Sequence, residues 1–84
     1  MFSKQPDIIE TDLGDELVLL DPASRQMYSL NVTGRALWQA LPLASLDDAA
    51  SVLEEAFEVT GEVARRDAES LLSDLVASKL VSRA

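Results

Sequence analysis

Between Gln26 and Trp38 the hydrophobic pattern changes period within one short stretch, and this constrains the fold more than any other feature of the chain. Gln26-Met27-Tyr28-Ser29-Leu30 alternates with a period of two, which puts Tyr28 and Leu30 on one side of an extended segment. Leu37, Trp38 and Leu41 then recur at helical spacing. The join is Leu30-Asn31-Val32-Thr33-Gly34, where Asn31 or Thr33 can accept a hydrogen bond from a free N–H of the first helical turn. A strand that passes directly into a capped helix ties a small sheet to a small helical bundle.

The flanking sequence supplies the rest of both halves. Ile8 to Leu13 reads as a first strand ending at the turn Gly14-Asp15, and Leu17 to Leu20 as a second. Asp21-Pro22-Ala23-Ser24 then turns the chain into the third strand, Gln26 to Leu30. A first helix starts at Asn31–Thr33 and stops before Pro42, because the residue preceding a proline is pushed out of the helical region. A second opens at Ser45 with Asp48 three residues later, and carries Ala49, Ala50, Leu53, Ala56 and Phe57 on one face until Thr60-Gly61. A third runs from about Val63 to Ser78, after which Leu80-Val81 tucks an apolar end against the core. The expectation is an α+β, winged helix-turn-helix-like domain spanning 1–84: a three-stranded antiparallel sheet followed by three helices, with 1–6 as a flexible terminus. Trp38, Leu37, Leu53, Phe57, Leu72 and Leu75 are the predicted core.

With 84 residues the chain builds one modest core and no deep catalytic cavity. It has no Cys and no His, which removes thiolate nucleophiles, imidazole bases and the commonest transition-metal ligands together. No cofactor, no metal site and no enzymatic activity are expected. The apolar runs are far shorter than the roughly 20 residues of a membrane span, and the first residues lack a signal-peptide pattern, so the expected location is cytoplasmic. The net charge of −8 opposes binding to phosphate backbones. Its distribution is uneven: residues 62–84 carry four basic and four acidic groups, whereas residues 1–61 are acidic.

Adjacent carboxylates at Asp15/Glu16, Asp47/Asp48 and Glu54/Glu55 diverge by about 100° on a helix and do not converge on one site. Arg65 and Arg66 stand near the positive end of the third helix, where pairing of Glu62 with Arg66 and of Arg65 with Glu69 would explain them. The other account has one arginine reaching a carboxylate on a bound peptide. The third strand is less easily explained as plain structure. A three-stranded meander has two edges, which proteins usually blunt with Lys, Pro or a covering element. Residues 26–30 carry neither charge nor Pro. Such an edge is either sheltered, by the third helix or a dimer, or used for adding a peptide strand.

The succession Leu-Val-Leu-Leu-Asp (17–21), Met-Tyr-Ser-Leu-Asn-Val-Thr-Gly (27–34), Leu-Trp (37–38), Ser-Leu-Asp-Asp (45–48) and Asp-Ala to Leu-Val (67–81) resembles the PqqD-like proteins. These are the recognition elements for precursors of ribosomally made, post-translationally modified peptides. The resemblance runs from about residue 8 onward and is greatest to the stand-alone lasso-peptide leader-binding proteins. It implies that a precursor's leader segment adds antiparallel to the third strand and lies between that strand and the third helix. On this basis Arg25, Gln26, Met27, Tyr28, Ser29 and Leu30 form the strand edge, and Ala64, Asp67, Ala68, Leu71, Asp74 and Leu75 line the helix side. The implied partners are the leader peptide and a separate maturation enzyme, with a leader peptidase favoured, on a monomer or weak dimer that binds neither nucleic acid nor membrane. The alternatives are a peptide chaperone for a radical enzyme of pyrroloquinoline quinone synthesis and, from another class, a winged-helix DNA-binding regulator. Where the family often has Gly before its terminal apolar pair, this chain has Lys79.

Overall fold

The structure, a computed structural model, describes residues 1–84. In chain order it contains β1 (Phe2–Lys4), β2 (Ile9–Asp12), β3 (Leu17–Asp21), β4 (Gln26–Leu30), α1 (Val32–Ala40), α2 (Leu46–Phe57), α3 (Gly61–Ala77) and β5 (Val81–Arg83). The predicted meander is present as an antiparallel sheet in the order β2-β3-β4, so β4 is an edge. Two four-residue loops set its register. Gly14, with φ of +94°, turns the first, and Asp21 Oδ1 accepts from Ala23 N–H in the second.

The strand-to-helix junction between Leu30 and Gly34 has a specific geometry. Asn31 is the N-cap of α1, its Oδ1 accepting from Gly34 N–H at 3.0 Å, and Val32 is already helical. A Cβ on Gly34 would lie 3.1 Å from the Leu30 Cβ, so the glycine lets the helix start against the strand it has just left. α1 ends at Ala40 with Leu41 extended ahead of Pro42. Ser45 Oγ caps α2 by accepting from Asp48 N–H. Thr60 and Gly61 differ from expectation. α2 closes at Glu58 in the left-handed region, while Thr60 caps α3 by accepting from Val63 N–H and Gly61 is its first residue.

The larger departure concerns residues 1–6, read from sequence as flexible. Phe2–Lys4 pairs antiparallel with Val81–Arg83, and Phe2 is buried and exchanges backbone hydrogen bonds with Leu43. The gain is burial of a large apolar side chain that would otherwise sit in water, worth about 1.5–3 kcal/mol. The core joins Leu17 and Leu19 of β3, Leu37 and Trp38 of α1, Leu53 of α2, Leu72 and Leu75 of α3, and the terminal pair Leu80-Val81. Phe57, expected among them, is half-buried against this cluster. Ala49 and Ala50 on α2 and Ala64 and Ala68 on α3 are buried, and their small side chains let the two helices approach closely. No helix is long and apolar enough to cross a membrane.

Candidate functional site

The site begins with the hydrogen-bonding direction of β4. Each residue of an antiparallel strand sends its N–H and C=O to the same side, and the side alternates along the chain. Leu13 N–H bonds to the Glu16 carbonyl at 2.9 Å, so the even-numbered residues of β3 face β2 and the odd-numbered ones face β4. Leu17, Leu19 and Asp21 therefore bond to Leu30, Tyr28 and Gln26, their partners in the register. Met27 and Ser29 are left with N–H and C=O directed away from the sheet.

A groove runs between this open edge and α3. One section, about 350 Å³, is lined by Tyr28, Ser29, Leu30 and Asn31 on one side and by Leu71, Asp74, Leu75, Ser78 and Leu80 on the other. A second, about 260 Å³, continues past Asn31 and Leu71 to Thr33, Asp67 and Ser70. The two share Asn31 and Leu71, so they form one trough along the strand-to-helix junction. Its floor is apolar where Leu30, Leu71, Leu75 and Leu80 meet, and its rim is polar.

Of the residues expected at this site, Tyr28, Ser29, Leu30, Asp67, Leu71, Asp74 and Leu75 line the groove. Ala64 and Ala68 do not. They are fully buried in the α2–α3 seam, since about 100° per residue carries them onto the core face shared with Leu72. Arg25 sits in the β3–β4 loop with φ of +62°, and the Gln26 side chain accepts from the Tyr28 hydroxyl. Met27 is 68% exposed on the outer face of the sheet, in a row with Ile9 and Leu20. Its backbone belongs to the edge, but its side chain lies on the face opposite the groove. The lining residues that sequence reasoning missed are Asn31, Thr33, Ser70, Ser78 and Leu80. Ser70 follows Asp67 by three and Ser78 follows Asp74 by four, so helical spacing alone marks both.

Electrostatically the trough is one-sided. No Lys or Arg lines either section, and neither Asp67 nor Asp74 belongs to an ion pair. The arginines of α3 are engaged elsewhere. Arg66 pairs with Glu62 at 3.6 Å as its spacing suggested, whereas Arg65 reaches across to Asp47 of α2 instead of to Glu69. A separate cleft of about 360 Å³ lies on the opposite face of α3, walled by Phe2, Leu46, Leu72, Val76 and Arg83. It has no part of β4 in its lining.

An edge strand that opens onto an apolar trough beside the last helix of a three-helix set defines a class of small α+β proteins. The chain belongs to one family within it, the PqqD family, whose model, described as coenzyme PQQ synthesis protein D, matches residues 16–81. Among solved structures the chain is similar to a lasso peptide synthetase B1 complexed with the leader peptide, with 29% identity, 98% of each chain covered and a TM-score of 0.82. It also shares the fold of TbiB1 in complex with the TbiA(beta) leader peptide, at 18% identity, covering 98% of this chain and 96% of that one, with a TM-score of 0.85. No curated protein matches the chain.

Proposed function

We propose that the chain is a non-catalytic binding module that takes up the leader segment of a ribosomally made precursor peptide as a fourth strand on β4. The observation that carries this reading is the pairing of an open backbone edge at Met27 and Ser29 with an apolar trough immediately beside it. Main-chain hydrogen bonds to the edge supply register and affinity, and alternate leader side chains enter the trough to supply specificity. Membership of the PqqD family and similarity to a lasso peptide synthetase B1 bound to a leader peptide support the same reading.

The module presents its leader to a separate maturation enzyme, with the leader peptidase of a lasso-peptide pathway as first choice. In favour of presentation is the outer face of the sheet, where Ile9, Leu20 and Met27 form one row and Thr11, Val18 and Ser29 the next. These six positions carry no charge on a chain of net charge −8, and the face is continuous with the strand that receives the leader. An exposed uncharged patch of this kind is what a protein partner uses. The family description points instead to pyrroloquinoline quinone synthesis, where the same strand addition would serve a radical enzyme. The two readings share the groove and differ only in the enzyme that follows.

Calorimetric titration with the leader of its precursor peptide tests the proposal. The expected result is one saturable site of micromolar or tighter Kd, which corresponds to about 8 kcal/mol or more. Leu71→Asp, which sets a charge on the apolar floor, is expected to weaken it at least tenfold. Absence of leader binding combined with tight binding to duplex DNA would establish the regulator reading instead.

A further inference from the structure

We propose that the groove selects basic leaders with a defined pattern, in which an apolar residue is flanked two positions away on each side by Lys or Arg. This rests on the leader-binding reading and adds the chemistry of the ligand. Asp67, Leu71 and Asp74 follow one another on the groove face of α3, all three line the trough, and no cation of the protein neutralises either carboxylate. The wall therefore presents acid, apolar and acid in sequence, with the two acids seven residues and about 10.5 Å apart along the helix axis.

An added strand advances about 3.4 Å per residue and sends every second side chain to the same face. The residues facing α3 are then i, i+2 and i+4, spanning roughly 13.6 Å. The apolar side chain at i+2 meets Leu71, and cations at i and i+4 overshoot the carboxylates by an amount that a flexible Lys or Arg stem takes up easily. Leader carboxylates at the same positions would face Asp67 and Asp74 with no compensating charge nearby.

An antiparallel leader, the polarity that the family resemblance implies, gives the contacts a direction as well. Asp67 shares its section of the trough with Asn31 and Thr33, beyond the C-terminal end of β4, whereas Asp74 shares the other with Tyr28 and Ser29. A leader antiparallel to β4 enters at Asn31 and leaves toward Tyr28. Its N-terminal cation thus meets Asp67, and its C-terminal cation meets Asp74.

A random dodecapeptide library displayed on phage, selected in parallel on the wild-type protein and on a D67K/D74K variant, tests this. Both positions are exposed and unpaired, so the variant keeps its fold, which thermal melting checks. Wild-type selection is expected to enrich basic-x-apolar-x-basic peptides, and the variant to enrich Glu or Asp at the same two positions. In synthetic versions of a selected peptide, changing both cations to Glu should weaken wild-type binding at least tenfold and restore it on the variant. With D74K alone, the swap of the C-terminal cation alone should restore binding. Peptides that bind wild type, are lost on Met27→Pro and show no basic preference would overturn this proposal and leave strand addition standing. A selection that yields no binder, or only binders indifferent to Met27→Pro, would overturn both.

Discussion

Asp12 shows how one side chain can hold the sheet to the helices. Arg35 on α1 donates to both of its carboxylate oxygens, each at 2.8 Å, and Gln39 one turn later donates at 3.2 Å. The Arg35 hydrogen bonds and the Gly14 N–H lower its pKa from the ordinary 3.8 to about 2. In the unfolded chain the proton binds near 3.8, while in the folded one it is held off until about 2, so the unfolded state carries more protons in that window. The contribution is complete above the unfolded value and fades as pH falls through the folded one. Urea unfolding of wild type and Asp12→Asn should thus give a stability difference that shrinks between pH 4 and pH 2; a constant difference would show that the ion pair is not formed. At the other end of the chain, Lys79 adopts φ of +60° where glycine is the unstrained choice. Its N–H bonds to Val76 and that of Leu80 to Leu75, the paired hydrogen bonds that close a helix through a left-handed residue. Lys79→Gly keeps those bonds and removes the strain, so it is expected to stabilise by about 1 kcal/mol and raise Tm by about 4–8 °C. An unchanged or lower Tm would mean that the lysine side chain compensates.

Among the elements, β4 and the helix it feeds were legible because several local signals agree: alternation, an Asn cap, and a glycine where the backbone needs close approach. The β1–β5 pair was not. Three-residue strands have no usable periodicity, and the partner of Phe2–Lys4 lies about eighty positions away in the chain. The misplaced Ala64 and Ala68 have a different origin, since helical spacing gives the direction of an apolar stripe but not where its buried part ends and a groove wall begins. Leu71 and Leu75 sit at that boundary and belong to the groove, whereas the two alanines lie inside it. The ladder direction yields a sharper prediction than sequence could. Met27→Pro removes an outward N–H and leaves the bonds to β3 intact, so the protein should stay folded while leader affinity falls at least tenfold, more than 1.4 kcal/mol. Tyr28→Pro removes an inward donor and should instead lower Tm. Calorimetry and thermal melting on the two variants separate edge from ladder, and equal effects of both would refute the assignment of sides.

Over the whole molecule, α3 divides the surface. One of its faces seals the core with α2, one walls the trough beside β4, and the arginines near its start bond to carboxylates of the protein itself. That division was hidden in the sequence, where the neutral charge of residues 62–84 suggested cations available to a partner; the fold directs carboxylates into the trough instead. The central claim is that a peptide completes the β4 edge, and residue-resolved amide hydrogen exchange, with and without saturating peptide, reads that edge directly. In the free protein Tyr28 and Leu30 should be protected by their bonds to β3, and Met27 and Ser29 should exchange quickly. Bound peptide is expected to slow exchange at Met27 and Ser29 by at least tenfold. Fast exchange at both, with new protection confined to α2 between Leu46 and Phe57, would contradict it.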